Sequence, residues 1–220
     1  MLLDTANLSM IKSFNHFDWV RGVTTNPTLL RQEHGQNRKE VLQKVYSEIS
    51  PKLLFVQVQG ESVSEMRADA EQWLEIGNGK IGLKIQADEK GLVVIQQVKK
   101  DYPESIILAT VIFSLEQAYL AGLSGCDWIA PYVNRMENQG LDSFDMVQKI
   151  RRLYDTHGIT TRIMGASFKN HAQIMRCLLA GADEVTVPPE LLQTMMENKL
   201  AQNSIEQFNR HAKEGESENE

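Results

Sequence analysis

Eight short apolar segments recur along the chain, and the distance from each to the next leaves room for a helix. They cover residues 2–3, 22–25, 53–56, 81–83, 106–108, 128–130, 161–164 and 184–187. Most are rich in β-branched and aliphatic residues, which favour strands. Because the segments are apolar with little alternation, we expect strands of a parallel sheet that is buried on both faces.

The stretches between these segments have the periodicity of amphipathic helices. The clearest one carries apolar residues at positions 144, 147, 150, 153 and 154, and His157-Gly158 follows as a helix stop. Eight alternating strands and helices in 220 residues predict a single-domain (β/α)8 TIM barrel. A doubly wound open sheet is the alternative, but Asp4-Thr5-Ala6-Asn7 after the first strand is not a glycine-rich phosphate-binding turn.

The end of the chain has a different composition. Residues 205–212 have the pattern of a polar amphipathic helix, so we assign residues 1–212 to the barrel and its C-terminal helix. Residues 213–220 are acidic and contain no apolar side chain, which predicts a flexible acidic tail.

Charge and composition limit the partners that the chain can have. A net charge of −6 and a pI of about 5.5 argue against nucleic acid and against an anionic membrane, because both require clustered Lys and Arg. An anionic substrate must therefore meet a local basic site.

Two cysteines and the absence of long apolar runs favour the cytoplasm. Cys126 and Cys177 lie in apolar surroundings without the spacing of a disulfide framework. No export signal is visible after Met1, and the longest apolar run, 105–113, is much shorter than the ~20 residues of a membrane-spanning helix.

Lys84 is the residue that most needs a chemical explanation. It lies within the apolar segment Ile81-Gly82-Leu83-Lys84-Ile85, where burial favours the uncharged, nucleophilic amine. An amine of this kind attacks carbonyl groups. A lysine whose ammonium group reaches solvent at a sheet edge is the structural alternative.

Polar residues follow most of the other predicted strands. Together with Lys84 they are Asp4, Asn26, Gln57, Thr110, Tyr132, Arg135, Ser167 and Lys169. Each has a structural alternative as a helix cap, a turn residue or a buried strand residue. In a barrel, however, the carboxyl ends of the strands form one rim, so these side chains should meet around Lys84. The five histidines lack metal-ligand spacing, and we expect chemistry without a metal.

Several of these segments together resemble the transaldolase family, and within it the fructose 6-phosphate aldolase branch. The segments are Leu3-Asp4-Thr5-Ala6-Asn7, Gly22-Val23-Thr24-Thr25-Asn26-Pro27, Phe55-Val56-Gln57-Val58, Leu83-Lys84-Ile85, Ala130-Pro131-Tyr132-Val133-Asn134-Arg135 and Ala166-Ser167-Phe168-Lys169. The resemblance extends over almost the whole chain. It implies a (β/α)8 barrel in which Lys84 forms a Schiff base with a ketose, without a cofactor.

The resemblance also implies roles for the other residues of the rim. Asp4 and Asn26 would hold hydroxyl groups of the dihydroxyacetone part of the substrate, and Asp4 would support proton transfer. Arg135 and Ser167, assisted by Lys169, would bind the phosphate, for which a guanidinium group is well suited.

Gln57 and Tyr132 indicate the aldolase branch, because transaldolases usually carry Glu and Phe at these positions. A phenol can relay protons to the water that hydrolyses the imine, with Gln57 and Thr110 positioning that water. Gln86 and Ala109 depart from residues common in the family and put substrate preference in doubt. The resemblance further implies a homo-oligomer, a decamer in this branch, with the C-terminal helix reaching a neighbouring subunit.

The sequence thus predicts a class I aldolase that reversibly cleaves fructose 6-phosphate into dihydroxyacetone and glyceraldehyde 3-phosphate. Two alternatives stay open. One is a transaldolase that transfers the same three-carbon unit between sugar phosphates, and the other is a sugar-phosphate-binding barrel without catalytic activity.

Overall fold

The eight predicted strands are present and form a closed barrel. A computed structural model of the chain describes residues 1–33, 37–77 and 79–217. The strands are β1 (Leu2–Asp4), β2 (Gly22–Thr24), β3 (Leu53–Gln57), β4 (Ile81–Gln86), β5 (Ile107–Ile112), β6 (Trp128–Pro131), β7 (Arg162–Gly165) and β8 (Glu184–Val187). Each pairs in parallel with its neighbours in sequence, and β8 pairs with β1 to close the ring. The prediction of a (β/α)8 barrel is therefore confirmed.

Helices follow every strand of the barrel. They are α1 (Leu8–Phe14), α2 (Pro27–Gln32), α3 (Arg38–Ile49), α4 (Val63–Gly77), α5 (Glu89–Asp101), α6 (Leu115–Leu123), α7 (Val133–Glu137), α8 (Ser143–His157), α9 (His171–Leu179), α10 (Pro189–Met196) and α11 (Lys199–Ser217). Side-chain caps fix where several of them begin: Asn7, Asn26, Asn37, Asp88, Ser114, Asp142 and Asn170 each accept a backbone N–H from the first turn.

The predicted helix stop at Gly158 is confirmed. Gly158 follows α8 with φ 65°, and its N–H donates to the carbonyl of Tyr154. A left-handed residue of this kind closes a helix at little cost when it is glycine.

The barrel interior is filled by apolar side chains from several strands. Leu2, Phe55, Leu108, Ala130, Tyr132, Met164 and Ala166 form one buried cluster. Gly82 makes room for this filling, because a Cβ there would come within 2.5 Å of the Phe55 ring. A packed interior leaves the ends of the strands as the places where polar groups can gather.

The β5 strand contains an irregularity that the sequence did not reveal. Its register with β6 shifts between Ala109 and Ile112, and Val111 within the bulge has φ 65°. Left-handed backbone is a genuine outlier for a β-branched residue. The bulge follows Thr110 directly.

The chain divides into two compact units, residues 1–189 and residues 190–220. In the second unit α11 is longer than the predicted helix at 205–212, because Asn198 caps its first turn and Lys213 and Glu214 favour helix. The predicted tail at 213–220 therefore starts inside a helix that ends at Ser217, and residues 218–220 lie outside the described part. The flexibility of this tail stays a prediction. Among the described residues, no helix is long and apolar enough to cross a membrane.

Candidate active site

The polar residues singled out in the sequence lie at the carboxyl ends of the strands, which we call the carboxyl rim. Asp4 and Gln57 end β1 and β3, and Lys84 and Thr110 lie in the second halves of β4 and β5. Asn26, Tyr132, Arg135, Ser167 and Lys169 occupy the segments that follow β2, β6 and β7. Since all strands are parallel, the fold places all nine residues at one end of the barrel.

Lys84 is buried on β4, with only 4% of its surface exposed. Its neighbours Leu83 and Ile85 are fully buried. Its Nζ donates a hydrogen bond of 3.4 Å to the carbonyl oxygen of Thr25, which is at the long end for such a bond. The amine is thus removed from bulk solvent and only weakly engaged, which suits a nucleophile.

Asp4 supplies a carboxyl group that interacts electrostatically with both Lys84 and Arg135. Burial raises the pKa of Asp4, while Lys84, a hydrogen bond from Thr24 and Arg135 act in the opposite direction. A carboxyl group that keeps its proton to higher pH can exchange it during catalysis. Asp4, Lys84 and Arg135 therefore form one electrostatic cluster at the carboxyl rim.

A short chain of hydroxyl groups holds the Asp4 carboxyl from behind. Thr24 donates from Oγ1 to Asp4 Oδ1 at 2.8 Å, and the Oγ1 atoms of Thr24 and Thr186 are 2.6 Å apart. Because the Thr24 proton points to Asp4, Thr186 is the donor to Thr24. Both threonines are buried, so the geometry of this chain is fixed.

Thr110 and Tyr132 are joined directly. Their hydroxyl oxygens are 2.9 Å apart, and both residues are buried. Phe113 packs edge-on against the Tyr132 ring at 5.5 Å, and the Arg135 guanidinium carbon lies 4.9 Å from the centre of the same ring. These contacts hold the phenol at the carboxyl rim.

The backbone around Thr110 is secured by Gln117 on α6. Its amide nitrogen donates to the carbonyls of Ala87 and Val111, both at 3.3 Å, and its oxygen accepts from the N–H of Phe113 at 2.9 Å. The β5 bulge therefore has a dedicated side-chain support.

Gln57 lies beside Lys84 in the register of β3 and β4. The backbone from the Gln57 carbonyl to the Gln59 N–H is held by an ion pair that the sequence did not indicate. Arg38 binds both carboxylate oxygens of Asp69, at 2.6 and 3.0 Å, and donates to the Gln57 carbonyl at 2.5 Å. Asp69 in turn accepts the N–H of Gln59 at 2.9 Å. Arg38 and Asp69 are 31 residues apart, so no local pattern could have paired them.

Asn26 caps α2, as its structural alternative required. Its side-chain oxygen accepts the N–H of Leu29 at 3.0 Å. Asn26 directly precedes Pro27, which occupies the first helical position. The oxygen is thus used by the helix, and the amide NH₂ is the group with which Asn26 can contact a substrate hydroxyl.

The proposed phosphate residues come from two adjacent segments. Arg135 lies on α7 with an exposed side chain, and Lys169 is exposed on the loop after β7. Ser167 on the same loop has φ 62°, and its carbonyl accepts the N–H of Asn134 at 2.9 Å. The structure thus brings the helix of Arg135 and the loop of Ser167 together.

Other groups that could carry chemistry are scarce at the carboxyl rim. Within the described ranges, no three His, Cys, Asp or Glu residues lie close enough to hold a metal ion. Cys126 and Cys177 are buried, and burial raises the pKa of each thiol to about 12. A cavity lined by Leu53, Ile106, Trp128 and Arg162 lies at the other end of the barrel, where these strands begin.

A closed barrel of eight parallel strands with its polar cluster at the carboxyl rim is an architecture of enzymes. The model of the transaldolase/fructose-6-phosphate aldolase family matches residues 1–220, and the chain belongs to this family. It is accordingly an enzyme of the transaldolase and aldolase type.

Proposed function

We propose that the protein is a Schiff-base aldolase that reversibly cleaves fructose 6-phosphate into dihydroxyacetone and glyceraldehyde 3-phosphate. The observation that carries this proposal is the buried amine of Lys84, which interacts electrostatically with the carboxyl group of Asp4. A lysine that is held away from solvent and is influenced by a group that can exchange protons is equipped to form an imine.

In this mechanism the Lys84 nitrogen attacks C2 of the open-chain ketose. The adduct loses one water molecule and becomes an iminium ion, which then serves as the electron acceptor. The C3–C4 bond breaks, its electron pair forms an enamine, and the C4 hydroxyl loses its proton to a water molecule held by Tyr132. Glyceraldehyde 3-phosphate leaves. Because the imine nitrogen accepts the electrons, this route requires neither a metal ion nor an organic cofactor.

The second half of the reaction releases the three-carbon unit. The enamine carbon takes up a proton, and one water molecule hydrolyses the imine to dihydroxyacetone and free Lys84. We assign Tyr132 as the main acid and base, acting through a water positioned by Gln57 and Thr110, with support from Asp4. The 2.9 Å contact between the Thr110 and Tyr132 hydroxyls supports this assignment.

Substrate binding completes the proposal. Asn26 and Asp4 hold hydroxyl groups of the dihydroxyacetone part, and Arg135 and Ser167 bind the phosphate with help from Lys169. The cation and the hydroxyl come from adjacent segments of the carboxyl rim, which suits a ligand with three anionic oxygens.

Borohydride trapping tests the chemistry directly. Incubation with dihydroxyacetone and sodium borohydride should add one reduced three-carbon unit to Lys84, detected by peptide mass spectrometry. Lys84→Met, which keeps an unbranched side chain, should give no adduct. If the native protein binds sugar phosphate but forms no adduct, it is a binding barrel and not an aldolase.

Transaldolase activity is the second candidate, since it uses the same imine. Gln57 and Tyr132 favour the aldolase, because a phenol assists the hydrolysis that frees dihydroxyacetone. Adding erythrose 4-phosphate separates the two activities. A large excess of transfer to this acceptor over free dihydroxyacetone formation would assign the protein as a transaldolase.

We further propose a cytoplasmic homo-oligomer, a decamer by family resemblance. Leu200, Ile205 and Phe208 on α11 are exposed apolar residues, which are costly unless a partner covers them. Light scattering after size exclusion should show an assembly much larger than 24.9 kDa. A monomer at micromolar concentration would contradict this proposal.

A further inference from the structure

Gln173 on α9 is a buried polar side chain whose hydrogen-bonding groups are all used. Its amide oxygen accepts the backbone N–H of Lys169 at 2.7 Å. Its amide nitrogen donates to Asn134 Oδ1 at 3.0 Å and to Glu137 Oε2 at 2.5 Å. Only 7% of its surface is exposed. A fully satisfied buried amide of this kind fixes the groups around it.

Those contacts join two segments that each carry a proposed phosphate ligand. Asn134 and Glu137 lie on either side of Arg135 on α7, and Lys169 lies two residues beyond Ser167. Gln173 is therefore the side-chain link between the Arg135 helix and the Ser167 loop.

The α7 helix needs such a link because it has only five residues. A helix of that length is not stable by itself. Two backbone bonds attach its start to the loop: the N–H groups of Val133 and Asn134 donate to the carbonyls of Ala166 and Ser167, both at 2.9 Å. Gln173 adds the attachment on the far side of Arg135, through Glu137.

The loop also depends on this arrangement. Ser167 holds a left-handed backbone conformation, which is unfavourable for a residue other than glycine. Two hydrogen bonds hold the loop around it. The backbone N–H of Asn134 donates to the Ser167 carbonyl, and the N–H of Lys169 donates to the side-chain oxygen of Gln173. Removing the amide of Gln173 therefore takes one attachment away from both the loop and the helix and leaves the two backbone bonds.

We propose that Gln173 is a positioning residue that sets the preference for phosphorylated over unphosphorylated aldehydes. It holds the guanidinium of Arg135 and the hydroxyl of Ser167 at the separation that a phosphate group requires. This inference rests on the proposed function, in which those two residues bind the substrate phosphate. The role proposed for Gln173 is exercised through Arg135 and Ser167 and not through contact with the substrate.

The test compares two acceptors in the synthesis direction, glyceraldehyde 3-phosphate and glyceraldehyde, each with dihydroxyacetone. In Gln173→Leu we expect the ratio of the two kcat/KM values to fall about tenfold toward the unphosphorylated aldehyde. The change should arise in the KM of glyceraldehyde 3-phosphate. A tenfold change corresponds to about 1.4 kcal/mol of lost binding, within the range for a disrupted buried hydrogen-bond group.

Gln117→Leu is the matched control. Gln117 occupies the same place after its helix cap, and its side-chain oxygen likewise accepts a backbone N–H four residues earlier. It supports the β5 bulge rather than the Arg135 helix, so its loss should lower kcat/KM for both aldehydes by a similar factor. If Gln173→Leu behaves in the same way, its role is structural only and the inference is wrong.

A second variant covers the case in which Gln173→Leu does not fold. Asn134→Ala removes one of the partners of Gln173 and should shift the same ratio in the same direction, by a smaller factor. An unchanged ratio overturns the inference. Native protein that forms a Lys84 adduct but shows no preference for the phosphorylated aldehyde refutes the inference alone, whereas native protein without the adduct refutes the proposed function.

Discussion

The hydroxyl groups of Thr110 on β5 and Tyr132, which directly follows β6, are in direct hydrogen-bond contact, although the two residues lie 22 positions apart. The contact forms where the β5 bulge interrupts the pairing with β6. It gives the phenol a neighbour that can accept or donate a proton. Thr110 and Tyr132 are the pair at which we propose that the catalytic water molecule is held.

Tyr132→Phe should lower aldol cleavage more than transfer. The ring contacts with Phe113 and Arg135 would stay, and only the hydroxyl would be lost. Since general acid and base groups contribute about 10²–10⁴-fold, we expect cleavage to fall about a hundredfold. Initial rates with and without erythrose 4-phosphate measure the two activities. Equal losses in both would contradict the role given to Tyr132.

Asp4→Asn should stabilise the protein near neutral pH while it impairs catalysis. Burial raises the pKa of Asp4, so the folded state keeps a proton that the unfolded chain loses near pH 3.8. Stability due to Asp4 is therefore lost as pH rises from that value through the folded-state pKa. Asn cannot ionise and avoids this loss.

Urea unfolding at several pH values measures the difference between native protein and Asp4→Asn. We expect the gain in unfolding free energy to be largest near pH 7 and to shrink toward pH 4. Asp18→Asn at an exposed position serves as the control. A gain that does not depend on pH would show that ionisation of Asp4 is not its cause.

Val111→Gly should be more stable than Val111→Ala. In ordinary strand positions glycine is the worse residue by about 0.5–1 kcal/mol. At φ 65°, however, any residue with a Cβ bears a cost of about 1–2 kcal/mol, which glycine avoids. Chemical denaturation of the two variants gives the comparison. If alanine proves the more stable of the two, the bulge does not hold the strained conformation in solution.

Arg38→Met should weaken both the fold and the hydrolytic step. The variant loses the charged hydrogen bonds to Asp69 and to the Gln57 carbonyl, worth about 1–3 kcal/mol of unfolding free energy. Because Gln57 would be less well placed, the ratio of transfer to cleavage should rise.

A double-mutant cycle with Asp69→Leu isolates the ion pair itself. Arg38→Met and Asp69→Leu together should cost less than the sum of the two single changes. Strict additivity would mean that the pair contributes nothing to the segment around Gln57.

Local sequence patterns predicted most of the fold. Apolar segments located all eight strands, and the helical period with its glycine stop located α8, because such signals lie within a few consecutive residues. The strand predicted at 106–108 proved longer, since β5 continues through the bulge to Ile112. The sequence Thr110-Val111 gives no indication of a left-handed backbone conformation.

The contacts that support the site were much harder to predict from the sequence. The family resemblance pointed to the nine residues of the carboxyl rim, whose individual roles stay predictions. Arg38, Asp69 and Gln173 were missed because the pairs Arg38–Asp69 and Gln173–Asn134 are 31 and 39 residues apart and meet only in the folded barrel. A weak signal existed for Gln173, since Asn170 with Gln three positions later resembles a capping box.

The threonine pair behind Asp4 has a consequence for engineering this enzyme. The β8 strand contributes no group to the proposed chemistry. Its Thr186, however, donates a hydrogen bond to Thr24, which in turn donates to the carboxyl group of Asp4. Substitutions of Thr186 change the hydrogen bonds that reach Asp4 and can thereby alter its acidity. Thr186 is therefore a suitable first position to vary when the enzyme is evolved toward a different working pH.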